Sequence, residues 1–179
     1  TVPVRPVGFD DETAAKVILD KFIIAKERRS SAEMEKLGNE LLTNYANTKY
    51  ARQVLPTLAE QALHVNQVEN AAQLYERYAR QYPNGENADE LLEGAAKIRS
   101  GLGQYAEAIA DYDRLTKQGD QNRRPVWFAA LAKLAAASGD WHRAEDAALA
   151  IAENAPHAVL ANTIPGEAAP RTAKPDVAA

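Results

Sequence analysis

Three pairs of alanines, each pair 12 residues apart, recur along this chain: Ala59 and Ala71, Ala96 and Ala108, Ala132 and Ala144. The step from one pair to the next is 37 residues and then 36. Small residues held in phase at such a period mark a stack of helix pairs, with alanine where two helices touch. A turn former precedes the second alanine of each pair: Asn66, Gly103 and Gly139. The surrounding words repeat as well. Gly103-Gln-Tyr-Ala-Glu-Ala-Ile-Ala-Asp-Tyr112 is echoed upstream by Asn66-Gln-Val-Glu-Asn-Ala-Ala-Gln-Leu-Tyr75 and downstream by Gly139-Asp-Trp-His-Arg-Ala144.

A chain of 179 residues has room for about four or five units of this size. Alanine is abundant, β-branched runs are nearly absent, and glycine and proline fall mostly between apolar-periodic segments, so the expected class is all-α. The net charge of −4, with both signs interspersed, offers no basic field for nucleic acid. The Arg28-Arg29 and Arg123-Arg124 pairs are too short to change that, and the first pair suits a helix C-terminus. No cysteine is present, which excludes a disulfide framework and a thiolate metal site. It also fits an oxidising bacterial compartment. No apolar run approaches the roughly 20 residues of a membrane-spanning helix. The start at Thr1, without a signal-peptide core, reads as a processed or trimmed product.

Residues 1–10 carry two prolines and a glycine and read as an extended arm, with Asp10 or Asp11 capping the first helix. That helix is unusually apolar for the end of a stack and is expected to be covered, either by the N-terminal arm itself or, through Ile18, Phe22 and Ile23, by a partner or a second copy. Ser30 with Glu33, and Asn66 with Glu69, have capping-box spacing; Asn87 with Glu90 opens a later helix. Pro56 predicts a kink or a late helix start. Gly139-Asp140 caps a last helix from Trp141 to about Asn154, stopped by Pro156. The helical domain is expected over 11–158. The Ala/Pro-rich stretch 159–179 reads as a flexible tail.

These residues resemble the tetratricopeptide repeat, a 34-residue helix–turn–helix with small residues at its eighth and twentieth positions. The three alanine pairs fill those positions, Tyr75 and Tyr112 match the aromatic of the second helix, and Pro83 and Pro156 match the closing proline. Asp120 departs from that proline, and Ala148 from the aromatic. The repeats fall at 52–85, 89–122 and 125–158, with a degenerate one at 15–48 that has Phe22 and Met34 in place of the alanines. The resemblance implies an α-solenoid of antiparallel helix pairs wound as a right-handed superhelix. The Tyr82-Pro83-Asn84 turn, followed by Ala88, is also similar in style to repeat-bearing envelope proteins of Gram-negative bacteria. That likeness implies a periplasmic or envelope-associated protein; a cytoplasmic one is the alternative.

No catalytic constellation is legible, and neither an enzyme nor a cofactor is expected. His64, His142 and His157 stand alone, without a second histidine at metal-ligand spacing. Gly101-Leu-Gly103 lacks the strand that a dinucleotide site requires. The resemblance instead implies a concave groove lined by the first helix of each pair. Its groove positions are Glu60, Leu63 and His64; Glu93, Lys97 and Ser100; then Ala129, Lys133 and Ala136. Glu60 stands where the carboxylate-clamp subfamily has asparagine, so that clamp is not expected. The implied function is a scaffold or adaptor that holds a peptide or helix of another protein in a multiprotein assembly. The alternatives are the recognition domain of a larger envelope enzyme, or a homo-oligomeric structural element.

Overall fold

The computed structural model describes residues 10–154. The expected arm up to Phe9, the stop at Pro156 and the tail 159–179 lie outside them. Eight α-helices follow one another among the described residues: α1 (Asp11–Glu27), α2 (Ser31–Asn44), α3 (Ala51–His64), α4 (Val68–Gln81), α5 (Ala88–Gly101), α6 (Tyr105–Gln118), α7 (Arg124–Ala137) and α8 (Trp141–Asn154). A short 3-10 turn, Gln121–Arg123, leads into α7. Each helix packs chiefly on its neighbours in sequence, and α1 also touches α3. The architecture is therefore an all-α solenoid.

The turn inside each pair has one construction, and it explains the period. After α1, α3, α5 and α7 the chain passes through Arg29 (φ 55°), Asn66 (φ 61°), Gly103 (φ 75°) and Gly139 (φ 84°). In each case the next amide reaches back to a carbonyl of the last turn: Ser30 to Ala25, Gln67 to Ala62, Gln104 to Arg99 and Asp140 to Ala135, at 2.7–3.0 Å. This is a Schellman turn, which satisfies the orphan carbonyls and reverses the chain in three residues. Asn66 is therefore a C-terminal turn residue and does not cap α4; the capping-box reading of Asn66 with Glu69 is corrected. Ser30 and Asn87 do precede helices, but neither side chain makes a cap hydrogen bond. Two expected caps do form: Asp10 accepts from the Thr13 amide at 2.7 Å, and Asp140 from the Arg143 amide at 3.1 Å.

Arg29 occupies a left-handed conformation that costs an L-residue roughly 1–2 kcal/mol. Replacing Arg29 by glycine should raise stability by about 1 kcal/mol, and Gly103→Ala should lower it by a similar amount. Urea midpoints at constant slope would show opposite shifts. Equal shifts would contradict the turn assignment.

Ala59, Ala71, Ala96 and Ala108 are fully buried, so their backbones approach closely, as the 12-residue spacing requires. Ala132 and Ala144 are only half-buried, because no further pair covers α7 and α8 among the described residues. Pro56 lies inside α3, which begins at Ala51, so the late start is not realised. The core runs as three adjoining clusters, one centred on α1–α3 and reaching Tyr78 and Ala88, one where α3, α4 and α5 meet, and one from Ala79 of α4 through α8. Leu41, Val54, Leu55, Leu115 and Trp127 are its largest fully buried side chains, each contributing about 1.5–3 kcal/mol by burial. Tyr45 and Tyr78 are buried in it, and Tyr50 and Tyr82 pack against it, so all four serve the core.

Candidate functional site

The first helix of each pair carries the residues that the sequence assigned to a groove, and they do not behave alike. Glu60 and His64 on α3 are exposed, and Leu63 is 38% exposed. Lys97 on α5 and Lys133 on α7 are also exposed, and Ser100 is half-buried. Glu93 departs from the set. It is only 7% exposed, and its carboxylate is fully engaged within the chain.

The indole Nε1–H of Trp127 donates to Glu93 Oε2 at 2.9 Å, and Lys97 pairs with Oε1 at 2.6 Å. Arg123 closes the group with an ion pair to Glu93, while its other nitrogen meets Glu90 at 2.8 Å. Its guanidinium also lies 5.3 Å from the Trp127 ring centre. Burial alone would raise the Glu93 pKa, but the bonds from Lys97 and Trp127 and the charge of Arg123 outweigh it and hold the pKa below the ordinary carboxylate value. Glu93 thus ties α5 to α7, and its reading as a partner-binding residue is corrected. The packing is close. A Cβ on Gly119 would lie 2.5 Å from the Trp127 ring.

A second polar network joins the middle pairs. Arg99, 6% exposed, is bidentate on Glu76 at 2.7 and 3.2 Å, and donates to Gln104 at 2.7 Å. Gln104 in turn donates to Glu69 at 3.0 Å. Contact with Glu76 raises the Arg99 pKa despite burial, so the guanidinium stays charged. Neither network was legible in the sequence. The available signal was acid and base about one repeat apart, 30 residues for both Glu93–Arg123 and Glu69–Arg99.

Beside the Arg99 network, Asp111 on α6 has a buried Oδ2 without a hydrogen-bond partner. Burial, reinforced by the Glu76 charge, pushes its pKa up to about 7, against the pull of Arg99, Arg114 and Arg80. The unfolded carboxyl would lose its proton near 3.8, so folding takes up a proton between those two values. Stability from this residue is therefore full below about pH 4, falls as pH rises to about 7, and is level above. Asp111→Asn should gain about 2 kcal/mol at pH 8 and almost nothing at pH 4. Urea titrations of both proteins at the two pH values check it, and a gain independent of pH would refute it.

Two clefts flank α3. One, of about 450 Å³, is bounded by Lys26, Arg29, Met34, Glu60 and His64. The other, of about 500 Å³, is bounded by Arg52, Pro56, Glu60, Glu86 and Leu91. Glu60 is common to both.

On α1, Ile18 and Phe22 are buried in the core and are not available as an outer contact, which corrects that expectation for these two. Ile23 is 44% exposed, alongside Val17 and Ile24 on the same helix. At the other end Trp141 and Leu149 of α8 are exposed at 71% and 61%, which the sequence reading did not anticipate. His142 is exposed and pairs with Asp146 at 3.1 Å. Among the described residues no group of three or more His, Asp or Glu side chains could hold a metal, and no helix is long and apolar enough to cross a membrane.

What the fold defines is a class, a solenoid of consecutively packed helix pairs. No family model matches the chain, and no curated protein is similar to it. Among solved structures, the fold is similar to that of BtubC (BKLC) from P. vanneervenii, with a TM-score of 0.52. The likeness covers 97% of this chain and 75% of that one at 10% sequence identity, and it is a likeness of fold alone.

Proposed function

We propose that this chain is a non-catalytic interaction module of tetratricopeptide-repeat type, which holds a peptide or helix of another protein along its first helices. One observation carries the reading. Helix α3 presents exposed Glu60 and His64 on the rim of a cleft, with the exposed Leu63 next to them in sequence, while the alanines Ala59, Ala71, Ala96 and Ala108 between the helices are sealed. Such stacks expose an extended surface suited to segments rather than to small molecules. The partner belongs to a multiprotein assembly, and the Tyr-Pro-Asn turn style favours one in a bacterial envelope. A cytoplasmic assembly, or a larger enzyme that carries this chain as its recognition domain, would use the same surface.

The test is a photo-crosslinking residue placed at Leu63, Lys97 or Lys133, compared with placement at Lys117 or Gln73, in the cell that makes the protein. Partner crosslinks from the first three positions and none from the last two are expected. The opposite pattern, or equal labelling, would sink the proposal.

A second reading rests on the exposed Val17, Ile23 and Ile24 of α1, which would make that helix a contact between copies. Light scattering of the full chain separates the two. A monomeric mass removes the second reading.

A further inference from the structure

The charged side chains along the first helices fall into two groups. On α5 and at the start of α7 they are spent on one another: Glu93 with Lys97 and Arg123, and Glu90 with Arg123. Around α3 they are not. Among the described residues, Lys26, Arg29, Arg52, His64 and Glu60 form no ion pair, although all five line the two clefts. These charges are therefore open to a ligand at the α3 half of the groove. In the other half the Glu93 and Glu90 carboxylates are already neutralised, and the exposed Lys133 is, among the described residues, a lone cation.

Their order is specific. The first cleft puts two permanent cations, Lys26 and Arg29, on one side of α3, with His64 beside them. The second puts the apolar surfaces of Pro56 and Leu91 on the other side, beside an Arg52 and Glu86 of opposite sign. Glu60 stands between, on both rims. From His64 to Arg52 the helix rises about 18 Å, the reach of roughly six residues of extended chain.

We propose that the two clefts together form one recognition site for an extended segment of about six residues that runs along α3 from His64 to Arg52. Its pattern is acidic residues at one end, a basic residue in the middle and an apolar residue at the other end. The acidic end pairs with Lys26 and Arg29, the basic residue with Glu60, and the apolar residue rests on Pro56 and Leu91. This rests on the interaction-module reading above and gives it a partner chemistry. It also places specificity in α1 and α3 rather than in the Lys97 and Lys133 half.

Fluorescence anisotropy with labelled hexapeptides tests it. Each probe carries two aspartates, a central lysine and a terminal leucine spaced by serine, in both chain directions. Controls keep the composition but move the lysine to an end. One ordered probe should bind about tenfold more tightly than its reordered control. Glu60→Lys should weaken it by about tenfold, and so should Lys26→Glu with Arg29→Glu, all at exposed positions where folding is retained. Lys97→Glu should change little. If peptides bind without regard to order, or Glu60→Lys has no effect, this inference falls while the interaction reading stands. If no hexapeptide binds, this inference falls, and the crosslinking pattern decides the broader reading separately.

Discussion

Trp127→Ala is expected to cost about 4 kcal/mol and to unfold the last two helix pairs before the rest. The indole is completely enclosed, so its loss leaves a cavity that the alanine-rich surroundings cannot refill. It also removes a hydrogen bond to Glu93 and the ring against which Arg123 rests. The buried carboxylate keeps Lys97 and Arg123, which limits the added penalty. Trp127→Phe separates the terms in part, because it keeps an aromatic ring in the core while losing the N–H and some of the indole's volume. It should cost about 1–2 kcal/mol. Urea unfolding followed by helical circular dichroism would show an early transition in the alanine variant. A single unshifted transition would show that α7 does not depend on this side chain.

The second large effect belongs to Arg99. Arg99→Ala should cost about 3–5 kcal/mol, because it leaves Glu76 charged and partly buried beside Asp111. The neighbouring carboxyl makes the loss worse, since Arg99 is one of the cations that offset its burial. Replacing both partners, as Arg99→Leu with Glu76→Leu, should recover most of the loss. The comparison is a double-mutant cycle on urea midpoints. Additive single-variant losses would mean that the pair is not coupled.

What the sequence showed and what it hid divide along physical lines. Ala59, Ala71, Ala96 and Ala108 disclosed the helix pairs because close backbone approach tolerates only small side chains, a demand visible at fixed spacing. Gly103 and Gly139 disclosed their turns because a positive φ favours glycine. Arg29 hid the same turn, since an arginine gives no sign of a left-handed backbone. Asn66 misled because asparagine serves both at a helix start and in a left-handed turn. Glu93 was misplaced for another reason. A helical position predicts a direction, but it does not reveal that Arg123 and Trp127 arrive from the next repeat to enclose the carboxylate. The charges of the candidate site were readable one at a time. That those around α3 stay unpaired while those on α5 do not depends on contacts between repeats.

Packing that runs chiefly from each helix to its neighbours has a mechanical consequence. Under tension applied at its ends, such a stack carries the same load through every seam in series, with no sheet or long-range strap among the described residues to share it. Each helix pair can then yield separately, releasing on the order of 120 Å of contour length for a 37-residue unit. The seam between α2 and α3 is held by apolar packing and the neutral hydrogen bond from Gln61 to Ser31, whereas ion pairs stitch α4 to α5 and α5 to the start of α7. Extension would begin on the side of α1 and α2, so a pull on that end would separate Lys26 and Arg29 from Glu60 before the remaining pairs gave way.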